Sequence, residues 1–331
     1  MSGLRVSDIP RSASSLEVRT VTGNTVLDAI GNTPLVELRR VVPPGSARVV
    51  AKLELANPTG SMKDRVAKAM IEAAEKDGRL PPGGTVVEYT AGTTGISLAL
   101  VCAAKGYGLK IVFSDAFSDD KRFTMQAFGA SIVDVPSDGK RITERLIKSM
   151  VETARRLSQQ PGHWFCDQLT NEDGAAGYHA MGEEIWRQTD GHVDAFVQAV
   201  GTAHSLQGTT EALRQHVPGL RSVAVEPAES AVLSGRPTGA HRIEGIGIGY
   251  VPPLWNPKLV SSIEAVPTAE ADAMRRRLGK EEALFVGTSS GANVVAALRV
   301  ARALGPKATV VTVMVDSGLR YVSTDLFRRP G

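Results

Sequence analysis

Apolar runs without internal alternation recur along this chain, and most are followed by a stretch with helical spacing. Strand-like runs lie at 49–55, 85–90, 109–114, 131–135, 164–167, 195–200, 222–226, 263–266 and 309–315. Helical patterns lie at 63–76, 94–105, 119–128, 141–157, 172–188, 205–216, 269–278 and 290–304. A strand that is apolar on both faces must be covered on both, and an intervening helix returns the chain for parallel pairing. The pattern predicts an α/β fold of two open-sheet halves meeting at a cleft, with a hinge near 159–163. No repeat at solenoid periods is visible.

With 331 residues the chain has room for two domains. A hydrophobic content of 42% and a charged content of 22% describe a folded, soluble protein. The net charge is +3 and scattered, and aromatic residues make up only 5%, which argues against nucleic acid as a partner. No apolar run is long enough to span a bilayer, so no membrane role is expected. Residues 1–24 lack an apolar signal core and read as a flexible arm. Cys102 and Cys166 sit in apolar runs and read as buried small hydrophobes. The six histidines show no metal-ligand spacing. A reducing cytoplasm fits this cysteine usage.

Candidate chemistry concentrates in loops. Asn57-Pro58-Thr59-Gly60 is turn chemistry, Ser61 is a good helix N-cap, and Lys63 then falls in the first turn of the helix. The helix dipole disfavours a cation there, which suits an amine nucleophile. Thr90-Ala91-Gly92-Thr93-Thr94-Gly95 offers hydroxyls and a helix N-terminus to an anionic group such as a carboxylate. Gly201-Thr202-Ala203-His204-Ser205 forms a plausible phosphate cradle that matches neither of the glycine-rich nucleotide motifs. Gly287-Thr288-Ser289-Ser290-Gly291-Ala292 opens the 290–304 helix. Between them, Glu244-Gly245-Ile246-Gly247-Ile248-Gly249-Tyr250 suggests a mobile loop or a tight crossing.

A helix-start lysine, a carboxylate loop, a phosphate cradle and a hydroxyl-bearing loop, in that order, fit pyridoxal 5′-phosphate. Over residues 25–327 the chain resembles the cysteine synthase/cystathionine β-synthase family of fold-type II pyridoxal-phosphate enzymes. The resemblance is carried by Ile30-Gly31-Asn32-Thr33-Pro34-Leu35-Val36, by Asn57–Arg65, by Gly287–Ala292 and by Asp316–Phe327. It implies a fold like the tryptophan synthase β-subunit, with the cofactor in the cleft. Residues 25–49 would be a strand segment packing on the C-terminal domain. Residues 50–160 would form the N-terminal domain with the Schiff-base lysine, and 161–331 the C-terminal domain with the phosphate loop. It further implies that Lys63 carries the cofactor, that Thr93 lies at its phenolic oxygen, and that Ser289 meets the pyridine nitrogen. Gly201, Thr202, Ala203, His204 and Ser205 would hold the phosphate. Thr90, Ala91, Gly92, Thr94, Gln168 and Gly245 would bind substrate. A homodimer is implied as well.

Several residues depart from the family's usual pattern. Ala91 stands for a serine, Thr93 for an asparagine, Tyr89 for a proline and Glu244 for a glutamine; Ala203 and His204 replace glycines, and Ser205 a threonine. The implied activity is β-replacement on O-acetyl-L-serine or a related activated serine by sulfide or a thiol, through an α-aminoacrylate. L-cysteine desulfhydration, a catalytically idle cofactor-binding relative and a serine/threonine dehydratase stay open as alternatives.

Overall fold

The computed structural model describes residues 25–139 and 143–324. The N-terminal arm, the start of the helix expected at 141 and the last three residues of the closing motif lie outside them. In chain order the elements are β1 (Leu35–Leu38), β2 (Arg48–Leu53), α1 (Lys63–Lys76), β3 (Thr85–Tyr89), α2 (Thr93–Lys105), β4 (Gly108–Phe113), α3 (Asp119–Ala127), β5 (Ser131–Asp134) and α4 (Glu144–Ser158). They continue with β6 (His163–Phe165), α5 (Ala176–Gln188), β7 (Ala195–Ala199), α6 (His204–His216), β8 (Arg221–Pro227), β9 (Ser262–Val266), α7 (Thr268–Glu281), α8 (Thr288–Leu304) and β10 (Thr309–Met314).

Two sheets result. One has six strands in the order β1-β2-β10-β7-β8-β9, the other four in the order β5-β4-β3-β6. Every pairing is parallel except β1 with β2, where Leu35 faces Lys52. Strands β7 and β10 are buried at every residue, as strands covered on both faces must be. One core runs between the sheets and joins Val86, Ile111 and Phe113 of the smaller to Phe196 and Val311 of the larger, through Val66, Met70 and Ile71 of α1. Burying each such side chain contributes about 1.5–3 kcal/mol. Helix α8 is buried along most of its length against the outer face of the large sheet, while α4 covers the outer face of the small one.

Sheet membership differs from the division expected at 50 and 160. All of β2 belongs to the six-stranded sheet, and β6 pairs with β3 in the four-stranded one. The Pro161-Gly162 break is only the turn between α4 and β6; the crossing between sheets comes after β6. Cys102 and Cys166 are both buried and free.

Four buried charges fix the start of α1. Arg65 forks onto Glu54 through Nε (2.7 Å) and Nη2 (2.9 Å), and onto Glu184 of α5 through Nη1 and Nη2 (2.8 Å each). Lys52 of β2 reaches Glu184 at 2.6 Å. Neighbouring groups use the remaining lone pairs: Thr33 Oγ1 and Asn57 Nδ2 donate to Glu54, and the Asn32 N–H donates to Glu184. Burial opposes the charge on Glu184, but hydrogen bonds and attraction from Arg65 and then Lys52 outweigh it and hold its carboxyl at about 2. Arg65→Met leaves two buried carboxylates facing one ammonium. That change is expected to cost about 3–5 kcal/mol in chemical unfolding; a loss below about 1 kcal/mol would show that the cluster holds nothing in place.

Candidate active site

The loop before α1 is locked from both sides. Asp64 accepts from the Thr59 N–H (2.8 Å) and from Ser97 Oγ of α2 (2.6 Å), and Arg320 donates to the Thr59 carbonyl. The N-cap is Met62 rather than Ser61, because Ser61 is drawn into a backbone bridge with Asp316. The Ser61 hydroxyl still accepts the Lys63 N–H at 3.2 Å. Lys63 is therefore the first residue of α1. Burial brings its amine down to about 8, with Asp316 pulling the other way. An amine in that range exchanges a proton readily near neutral pH.

The loop expected to receive a carboxylate joins β3 to α2. Thr93 opens α2, Ala91 is exposed, and Thr90 Oγ1 accepts the Gly92 N–H at 2.9 Å. Gly92 has φ +130°, and a Cβ there would lie 2.4 Å from Lys121 Cδ, so only glycine fits. Thr94 Oγ1 donates to Gln168 Oε1 at 2.6 Å, bringing two expected substrate ligands together. Among the described residues the Gln168 amide hydrogens make only a long contact, to the Tyr89 carbonyl at 3.4 Å. Glu88 underlies both segments. Its two carboxyl oxygens take the Tyr89 N–H (3.0 Å) and the Gln168 N–H (3.1 Å), and burial raises its carboxyl to about 8. Sequence reading passed over Glu88, although a lone acid in an apolar strand was a visible signal.

The loop expected to cradle a phosphate joins β7 to α6. Ala203 adopts the left-handed conformation at φ +76°, the region where glycine is free and alanine is strained. Followed by helical His204, it turns successive N–H groups to one side, a backbone form able to receive an anion. Gly201 packs on the Gly245 carbonyl, which a Cβ would approach to 2.4 Å. The 244–250 loop is thus a tight crossing, with Gly245, Gly247 and Gly249 all at positive φ. Ser205 Oγ accepts from Gln198 Nε2 at 3.1 Å, leaving its own hydrogen to donate. His204 is buried between Thr202 Oγ1 (2.8 Å from Nδ1) and the Asn171 carbonyl (2.7 Å from Nε2). Burial, aided by the Lys63 charge and opposed by the Asn171 bond, lowers its imidazole to about 4.

Ser289 lies buried in the first turn of α8, and Ser290 ties that turn to β10 by accepting the Val315 N–H at 2.9 Å. Thr288 Oγ1 accepts the Glu244 N–H. Asp316 abuts Gly287 and accepts from Tyr321, yet its other carboxyl oxygen is buried with no partner among the described residues. Lys121 of α3, which no sequence signal marked, pairs with Glu244 at 2.7 Å and lies 5.3 Å from the Tyr321 ring. These contacts close a circuit: 90–94, Gln168 to Asn171, His204, Gly201 on Gly245, Glu244 on Thr288, Gly287 on Asp316, and Lys121 back over Gly92.

A family described as pyridoxal-phosphate dependent enzyme matches residues 26–316. The chain belongs to that family. Cysteine synthase of Staphylococcus aureus (strain Mu50 / ATCC 700699) is 40% identical over 306 residues, 92% of this chain and 97% of that protein. The crystal structure of cysteine synthase from Entamoeba histolytica superposes with a TM-score of 0.87 at 36% identity, covering 95% of this chain and 93% of that one. A hydrogen sulfide-producing enzyme from Fusobacterium nucleatum follows at 0.85 and 33%, covering 91% and 98%. The fold is fold type II, and pyridoxal 5′-phosphate is the cofactor of this family member.

In this pyridoxal-phosphate dependent enzyme His204 predicts a pH dependence of stability. The unfolded chain takes up a proton below about pH 6.5, and the folded one refuses it until about 4. Stability of the cofactor-free protein is expected to fall by about 3 kcal/mol through this group over that window as pH drops. Urea unfolding of wild type and His204→Asn across the window measures it; equal slopes would refute it.

Proposed function

We propose that this chain carries out β-replacement, joining sulfide to the β-carbon of O-acetyl-L-serine with release of acetate to give L-cysteine. The closed circuit of loops around Lys63 carries this reading. Pyridoxal phosphate, when bound, supplies an aldehyde for an amine and a sink for the electrons left on a deprotonated carbon. The residues that would hold it are Lys63, the Gly201–Ser205 concavity with the Ser205 hydroxyl, Ser289 at the ring nitrogen and Thr93 beside the phenolic oxygen.

The chain's own groups divide the remaining work. The N–H groups of the first turn of α2 and the Gln168 amide present hydrogens to a substrate carboxylate. Ala91 adds none, so Gln168 bears more of that duty than the family pattern gives it. The Lys63 amine, held at about 8, takes the α-proton and returns it. A neutral hydroxyl at Ser289 favours prompt loss of the β-substituent over long storage of charge. The homodimer that the resemblance implies, and the reducing cytoplasm that suits the two cysteines, belong to the same reading.

One observation favours a second reading, β-elimination from L-cysteine: the exposed Ala91 weakens the loop that would hold a carboxylate through to capture. A single comparison separates the two. L-cysteine forming from O-acetyl-L-serine and sulfide, faster than pyruvate forms from L-cysteine, is the expected result. The reverse order would favour elimination, and absence of both would leave an idle relative. Lys63→Ala is expected to lose the near-visible absorbance of the bound cofactor and at least about a thousandfold in rate.

A further inference from the structure

His204 occupies a place in the phosphate loop where its two ring nitrogens meet different chemistry. The Asn171 carbonyl can only accept, so Nε2 always carries a hydrogen. The Thr202 hydroxyl at Nδ1 can donate or accept. With a neutral ring, Thr202 gives its only hydrogen to Nδ1 and turns lone pairs toward the loop, where they would repel a phosphate oxygen. With a doubly protonated ring, Nδ1 donates, and the Thr202 hydrogen is released for that oxygen. The two states differ by one proton and by the direction of one hydrogen bond.

On the reading that Gly201–Ser205 holds the cofactor's phosphate, we propose that His204 takes up a proton as the phosphate dianion binds, reversing its bond with Thr202 so that the Thr202 hydroxyl donates to the phosphate. No lysine or arginine lies within the loop, so the imidazolium is the charge that the loop itself can set against the dianion, beside that of Lys63. In the cofactor-free chain the opposite state holds, because burial and the Lys63 charge keep the ring neutral. The other surroundings are uncharged or turned away. Val66 of α1 and Gly174 pack by the ring, as a Cβ on Gly174 would touch both; Asp173 pairs with Arg79, Glu172 is exposed, and Tyr178 of α5 donates to the Met62 carbonyl. Since Nε2–H binds the segment that carries Gln168, a cationic ring also tightens the substrate loop through a charge-assisted bond.

Calorimetry with pyridoxine 5′-phosphate, which has no aldehyde to react with Lys63, tests this in buffers of differing ionisation heat at about pH 7, where the ester is mostly dianionic. Wild type is expected to take up close to one proton more per site than His204→Asn; equal proton counts would overturn the proposal. Should that variant fail to fold, the nitrogen-15 spectrum of histidine-labelled wild type decides. One of the six imidazoles is expected to pass from the neutral to the doubly protonated form when the ligand is added, and no change in any would overturn it. If pyridoxine 5′-phosphate binds no more tightly than pyridoxine, the phosphate reading of the loop fails, and the proposal with it. Phosphate-dependent binding without proton uptake removes the proposal alone.

Discussion

Two cations and two carboxylates buried at the junction of β2, α1 and α5 are the constraint on which the rest of this molecule depends. Isolated charges in such a place would be driven neutral or out into water; here they cancel, and every fork is hydrogen bonded. Their yield is position more than stability. Arg65 is two residues from Lys63, so holding its guanidinium between Glu54 and Glu184 fixes the pitch and the rotation of the first turn of α1. The amine proposed to meet the cofactor is aimed by charges that never touch it.

From that fixed point the site grows by a repeated device. Parallel strands stop, the chain turns, and a helix begins with N–H groups that no carbonyl of its own helix satisfies. β3 into α2 and β7 into α6 each add one such end, and α8 adds a third. The strain stored at Ala203 and the glycine-only contact at Gly92 both fall in these turns.

The elements were legible because their signal is local. The α1 bounds read from periodicity coincide with the observed helix, since its apolar face recurs through Val66, Met70 and Ala74 between a turn and Asp77-Gly78. Most strands moved by a residue or two, because a strand's end is set by its neighbour's register. The short β6 could not declare its sheet, since pairing with β3 is a contact across some eighty residues. For the same reason the Ser61 cap was misplaced: its bridge to Asp316 spans most of the chain. Residue types at the site could be read from motifs. Which hydroxyl had already spent its hydrogen could not, because Thr202 and Asn171 meet only around the folded His204 ring.

The bridge from Lys121 to Glu244 has an evolutionary reading. Lys121 lays its stem on Gly92, where no larger residue fits, and spends its charge on Glu244. Three positions from three separate stretches are thereby bound into one heritable unit. A side chain gained at 92 would evict the lysine and strand the glutamate, and a glutamate lost at 244 would leave a largely buried ammonium without its partner. Drift at any one of them is closed until the others change, so these three residues should be kept or exchanged as a set among descendants of this chain.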